Sequence, residues 1–304
     1  MIPVTSLEIH IQADAPIDLG GNPGSALRGA LYEALRAMYD TGASVHSRHA
    51  AGDNPVAWLL ALEDEETSGG KDVPRPIAVR PPLAAPAPRL SFGLSFYGRG
   101  RSHIPLVLSA IHAMGTIGVG RGRGGFHIAR IEAVDPLTGQ ATLLIDEGGS
   151  QVGALPEPPG PDDYRQAAQR LAGKPLMVTF LTPARIVQHG HLCQRPELRP
   201  WFQRLLERTR LIGELYTDAP PWVPFKELLP LADQVAIRRD DTHWVEMWSG
   251  SRRQGAMRPS SGFAGQVVYE AVHSSLLPWL LLGQGLQVGK NTVKGCGWYR
   301  IEPQ

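Results

Sequence analysis

The chain has 304 residues, 42% hydrophobic and 19% charged, which supports packed cores in about two domains of ~100–200 residues each and argues against disorder. The formal net charge is only +1, but residues 1–172 carry 14 basic and 18 acidic side chains while residues 173–304 carry 16 and 11, so a phosphate-binding face belongs in the second half. Two cysteines, Cys193 and Cys296, exclude a disulfide framework and a thiolate zinc site; no run of about 18 apolar residues marks a membrane span and the N-terminus lacks a signal-peptide pattern, so a cytoplasmic protein is expected.

Residues 4–12 (VTSLEIHIQ) alternate as a strand. The cluster DLGGNPGS then reads as a loop, with Ser25 as the helix N-cap and residues 26–39 as an amphipathic helix. A polar, histidine-containing loop covers 40–55. Residues 56–62 (VAWLLAL) and 76–80 are short strand candidates, and 89–98 (RLSFGLSFYG) alternates strongly. Residues 104–115 predict a helix ended by Gly115. The loop GVGRGRGG (118–125) leads to a strand at 126–134, with a hairpin partner at 138–146. Residues 147–174, rich in Gly, Pro and Asp, read as a linker. A strand at 175–187 and a long amphipathic helix at 196–216 open the second half. Strands at 234–239, 242–249 and 263–269 follow, then a short helix (SSLLPWLLLG), a glycine-rich turn and a last strand at 298–302.

Both halves therefore run strand, helix, strands, helix, glycine-rich loop, strand. That order is a split βαβ unit used twice. The expected fold is α+β, with two tandem ferredoxin-like (RRM-like) domains, residues 1–146 and 175–304, joined by the 147–174 linker and leaving a cleft between them.

Three segments carry chemistry. In GLQVGKNTVKGCGWY (285–299) and just before it, Gly283, Gly285, Gly289, Gly295 and Gly297 lack side chains, which either serves a tight turn or lets an RNA backbone approach main-chain N–H groups. Lys290 and Lys294 add charge there, and Asn291 donates or accepts. GKNT (289–292) resembles the tail of a phosphate-binding P-loop, but the chain continues into a strand rather than a helix, which disfavours a mononucleotide enzyme. In WSGSRRQGAMRP (248–259), Arg252, Arg253 and Arg258 accompany Trp248: a solvated hairpin tip, or cations and a stacking ring for RNA. In the first half, Arg121 and Arg123 occupy the corresponding glycine-rich loop. Among ten histidines, His10, His112 and His127 sit within regular elements, His189 and His191 lack a third metal ligand, and His46 and His49 flank Arg48 just after the first helix, which ends at Tyr39.

Several blocks, in order along nearly the whole chain, resemble the CRISPR-associated RAMP superfamily. They are SALRGALYEAL (25–35), RPIAVRPP (75–82), residues 90–131, VTFLTPARI (178–186), and residues 260–301. Within that superfamily the resemblance is to the endoribonucleases that process precursor CRISPR RNA. Gln287 departs from the family's frequent histidine, and Lys294 from its frequent aromatic residue.

The resemblance implies cleavage within repeat RNA without a metal or other cofactor. The 2′-hydroxyl attacks, leaving a 5′-hydroxyl and a 2′,3′-cyclic phosphate. The family's acid or base histidine commonly lies in or just after the first helix, which assigns the chemistry to His46 or His49 with Tyr39 and Arg48 assisting. RNA contact falls to Trp248, Arg252, Arg253, Arg258, Gly289, Lys290, Asn291 and Lys294, with Arg121 and Arg123 in the first domain. Expected partners are precursor CRISPR repeat RNA, a CRISPR effector complex and a second copy in a homodimer, with no membrane. The alternative is a non-catalytic RAMP subunit that holds guide RNA in an effector complex.

Overall fold

A computed structural model describes residues 1–39, 54–61, 73–84, 86–251 and 256–304. It contains two ferredoxin-like domains. In the first, β1 (Val4–Gln12), β2 (Ile77–Arg80), β3 (Arg89–Tyr97), β4 (His127–Val134) and β5 (Ala141–Ile145) form an antiparallel sheet in the order β2-β3-β1-β4-β5. Helices α1 (Pro23–Met38) and α2 (Ile104–Ile117) cover one face. Alternation decides the layering: Leu7, Ile9 and Ile11 of β1 join Leu31, Phe92 and Ile111 in one buried cluster. Ser6, Glu8, His10 and Gln12 take the other face, because side chains alternate across a strand.

The second domain begins with α3 (Pro161–Leu171) and β6 (Leu176–Ala184), then the small β7–β8 hairpin (Val187–Gln188, His191–Leu192) and α4 (Leu198–Tyr216). Next come α5 (Phe225–Asp233), β9 (Ala236–Val245), the hairpin of β10 (Trp248–Ser251) and β11 (Ala256–Pro259), β12 (Gly262–Glu270), α6 (Leu277–Leu286) and β13 (Tyr299–Pro303). Its sheet is ordered β13-β6-β12-β9, the strand arrangement of the first domain without the added edge strand. Phe180, Trp201, Leu205, Tyr269, Leu280 and Tyr299 fill its core, which continues into Ile2, Val4, Ala78 and Tyr97 of the first domain.

Several expectations are corrected. Residues 57–61 form a π-helical turn rather than a strand; VAWLLAL is a continuous apolar run without alternation, which periodicity does not separate from a buried helical segment. The segment read as a linker holds α3. There the Gly160 N–H donates to the Asp163 carboxylate at 2.7 Å, a helix-start contact hidden in a Pro- and Asp-rich stretch. Tyr164, Ala168 and Leu171 bury its inner face. Helix α5, with Pro230 inside it, stands where the sequence pattern assigns no element. Strands 234–239 and 242–249 are mostly one strand, β9. Helix α2 runs past Gly115, which is buried against Phe126, and ends at Gly118 with φ of 87°. The α1 cap is Asn22, whose side chain accepts from the Ser25 N–H at 3.0 Å, rather than Ser25 itself. No described helix is long and apolar enough to cross a membrane.

Candidate functional site

Residues 18–25, the loop before α1 and the first residues of that helix, are where both domains meet. The Arg121 N–H donates to the Asp18 carbonyl at 2.7 Å, which brings the first glycine-rich loop to one side. Asn22 Nδ2 donates to the Trp248 carbonyl at 3.3 Å, and Ser25 Oγ lies 3.4 Å from Ser249 Oγ. Lys294 Nζ donates to the same Ser249 Oγ at 2.9 Å. Gly24 packs so closely on Lys294 that a Cβ there would overlap the Lys294 carbonyl. Asn291, itself left-handed at φ 62°, donates to Ser260 Oγ at 3.2 Å.

Predicted RNA-contact residues from both halves thus gather around one loop. Trp248 is 52% exposed, and Arg258, paired with Ser249 across the β10–β11 hairpin, is also exposed. Lys290 is exposed and Lys294 half-buried. Arg121 keeps a mostly exposed side chain, whereas Arg123 is tied to Glu33 at 2.9 Å. Arg252 and Arg253 lie outside the described residues.

The glycines do something other than expected. Gly283 and Gly285 belong to α6, where they pack on Tyr299 and Val4. Gly289 faces the Arg185 carbonyl, Gly295 faces Pro81, and Gly297, at φ 69°, faces the Val288 backbone. The protein's own side chains and main chain take the space that the sequence offered to RNA. Interleaved apolar residues (Leu286, Val288, Trp298) are the signal that could have shown this burial.

A polar seam continues the junction inward. Gln287 is buried at φ 61° and donates from Nε2 to the Val79 carbonyl at 2.9 Å. The Leu286 carbonyl accepts from Arg208 Nε at 2.8 Å and Tyr97 Oη at 3.2 Å. Burial pushes the Tyr97 phenol up, with the Arg208 guanidinium opposing it. Arg80 donates to the Leu7 carbonyl at 2.9 Å and lies 5.5 Å from the Trp298 ring centroid. Burial lowers its pKa, and Glu8 at 3.7 Å partly offsets this. Charge-assisted bonds and a cation over an aromatic face make such a seam costly to open.

Tyr39 stands at the other end of α1, 40% exposed. The helix places it about 21 Å from Ser25, at 1.5 Å per residue. His46, Arg48 and His49 lie outside the described residues. His10 bridges Ser91 Oγ at 2.7 Å and Glu132 at 2.9 Å, a cross-strand role consistent with its place in β1. His103, which sequence reasoning does not single out, precedes α2 and stacks on Trp58 at 4.6 Å between ring centroids; burial holds its pKa below the ordinary histidine value. His189 and His191 sit at the β7–β8 turn, and among the described residues no group of three or more His, Cys, Asp or Glu could hold a metal ion. A hollow of about 440 Å³ beside β4 and β5 is lined by Glu132, Asp146 and Glu147 against Arg130, a poor setting for phosphate.

Residues 178–299 match the family model of the CRISPR-associated endoribonuclease Cas6, and residues 2–157 match a model described as an N-terminal domain. The domain at residues 178–299 is thus of the CRISPR-associated endoribonuclease Cas6 family. Among solved structures, it is similar to a Cas6 (TTHB231) product complex at 14% identity and a TM-score of 0.61, covering 99% of each chain. It also resembles Thermus thermophilus Cas6 (TTHB231) at 12% identity, a TM-score of 0.57 and 99% of each chain. A third similar structure is an RAMP protein binding different RNA substrates, at 12% identity and a TM-score of 0.50, covering 98% of this chain and 99% of that one. At these identities the structural likeness is one of fold. No curated protein matches the sequence closely enough to count as a relative.

Proposed function

We propose that the protein processes precursor CRISPR RNA by cutting within the repeat without a metal ion. The 2′-hydroxyl attacks the adjacent phosphorus, and the products carry a 5′-hydroxyl and a 2′,3′-cyclic phosphate. The observation that carries this reading is the gathering of Arg121, Trp248, Arg258 and Lys294, from both domains, around residues 18–25. Cations with an exposed indole suit a single RNA strand, with phosphates neutralised and a base stacked. In this reading His46 or His49 moves the proton and Arg48 assists, while Tyr39, at the far end of α1, lies away from the gathered cations; Arg252 and Arg253 contribute further cations. The mature guide then passes to a CRISPR effector complex, in the cytoplasm where the transcript is made.

Incubation with repeat RNA in EDTA tests the chemistry. Cyclic-phosphate and 5′-hydroxyl ends are the expected products. Binding without product would instead make the chain a guide-holding RAMP subunit. The His46→Ala/His49→Ala double variant is expected to lose at least about 100-fold in single-turnover rate, the usual worth of a positioned acid or base. Cleavage at the wild-type rate would remove these residues from the mechanism.

A further inference from the structure

Among the contacts at residues 18–25 is a chain of three side chains from three separate elements. Lys294 precedes β13, Ser249 lies in β10 and Ser25 in α1. Lys294 Nζ donates to Ser249 Oγ at 2.9 Å, and Ser249 Oγ lies 3.4 Å from Ser25 Oγ. Ser249 is buried, and the other two are half-buried. The Lys294 backbone is equally constrained. Its N–H donates to the Asn291 carbonyl at 2.9 Å, its carbonyl rests on Gly24, and left-handed Asn291 and Gly295 bracket the turn.

A lysine side chain gives up about 2 kcal/mol of rotamer freedom when it is fixed. A contact that only neutralises phosphate does not need this; Lys290, in the same segment, is exposed. Holding an ammonium at one point matters when it must meet one atom in a transition state. An ammonium group is protonated near neutral pH and is a stronger acid than the alcohol it would form, so it suits a departing alkoxide.

We propose that Lys294 is a catalytic residue that protonates the 5′-oxygen as it leaves, with Ser249 and Ser25 as its positioning residues. This rests on the cleavage reading above. The bond from the 2′-oxygen to phosphorus forms as the bond from phosphorus to the 5′-oxygen breaks. The proton of the 2′-hydroxyl goes to the general base, and one ammonium proton goes from Lys294 to the 5′-oxygen. The amine regains its proton from solvent, and no co-reactant is consumed.

The test compares ordinary repeat RNA with RNA carrying sulfur in place of the 5′-bridging oxygen at the mapped cut. A thiolate leaves without protonation, so it bypasses a general acid. Lys294→Met should cut ordinary RNA about 100-fold or more slowly under single turnover, yet cut the sulfur substrate within about threefold of wild type. Lys294→Arg, which keeps the charge but is a much weaker acid, should bind an uncleavable 2′-deoxy substrate like wild type and show the same rescue by sulfur. Equal slowing on both substrates would reduce Lys294 to a binding residue, and no slowing would remove it from the reaction. Thermal melting of both variants at the wild-type temperature separates either result from misfolding.

The His46→Ala/His49→Ala variant makes failure of the two ideas distinguishable. If it has lost the base, sulfur does not rescue it. If sulfur rescues it and not Lys294→Met, the acid is a histidine and the proposal falls. If it cuts like wild type while Lys294→Met behaves as expected, the histidine assignment falls and Lys294 stands.

Discussion

The two glycine-rich connections occupy the same place in their domains, between the second helix of the repeat and its last strand, yet they have opposite surroundings. Residues 118–125 fold on themselves and rest one edge on Asp18: Val119 and Gly124 exchange backbone hydrogen bonds at 2.9 and 3.0 Å, a Cβ at Gly120 would overlap the Asp18 carbonyl, and a Cβ at Gly122 would meet nothing within 4 Å. Residues 287–297 are threaded through the molecule. Lys290 N–H donates to the Arg185 carbonyl at 3.0 Å, Gly297 N–H to the Pro183 carbonyl at 2.9 Å, and Gln287 to the other domain. A run of glycines thus reports tight backbone geometry and not what the backbone approaches. Where the neighbour is solvent, the loop shows its arginine. Where the neighbour is another element, the backbone is taken up inside the protein, and Lys294 reaches Ser249.

Single-methyl substitutions break this comparison most strongly. Gly297 has φ of 69°, and its Cβ would overlap the Val288 carbonyl. Gly297→Ala therefore meets both a left-handed backbone penalty and a backbone clash, and a loss of about 3 kcal/mol or more in stability is expected. Gly122, at φ 82° with open space around it, incurs only the first, so Gly122→Ala should cost about 1–2 kcal/mol. Urea unfolding of the two variants under identical conditions is the measurement. Equal losses would mean that the two loops are structurally equivalent after all.

A smaller effect is expected at the hairpin that leans on the buried loop. Trp248→Ala removes an exposed ring and leaves the Asn22 contact, which uses the Trp248 carbonyl. Stacking of a base on an aromatic side chain contributes about 1–3 kcal/mol, so affinity for single-stranded repeat RNA should fall by roughly 5- to 150-fold with the melting temperature unchanged. Trp248→Phe should recover part of it. Unaltered affinity for Trp248→Ala would take the indole out of the RNA interface.

Much of the fold was legible because its signals are local. Leu7, Ile9 and Ile11 in β1, and Leu27, Leu31, Ala34 and Leu35 in α1, announce their periods over a few residues. Helix α3 escaped because proline and aspartate at a helix start look like a loop until the capping contact is seen, and α5 because it has no side-chain cap and carries Pro230 inside it. The site was less legible. The Asn22–Trp248 contact spans 226 positions and Gln287–Val79 spans 208, and no short-range pattern encodes a pairing at that distance. Residue types still pointed to Trp248, Lys290 and Lys294, since exposed indoles and lysines beside glycines are uncommon in a plain core. They could not say that Ser25, read only as a helix cap, shares a hydrogen-bond chain with Lys294.

The finest distinction between the two loops is between their cations. Arg121 has a side chain 79% exposed and sits 4.0 Å from Asp18, itself more than half exposed. So wet and loose a pair contributes little to stability, and Arg121→Ala should leave the fold untouched. If the first loop borders the RNA path, that guanidinium neutralises one phosphate. Its loss should then weaken binding about equally for every RNA sequence and lower the slope of log affinity against log salt by about one. Arg123→Ala is the control within the same loop, because Glu33 already engages that guanidinium at 2.9 Å. It should alter the salt slope less than Arg121→Ala does. Titrations of the two variants at several salt concentrations compare them directly. Identical slopes for both variants and wild type would confine RNA contact to the second domain, and the first glycine-rich loop would then be a connection and nothing more.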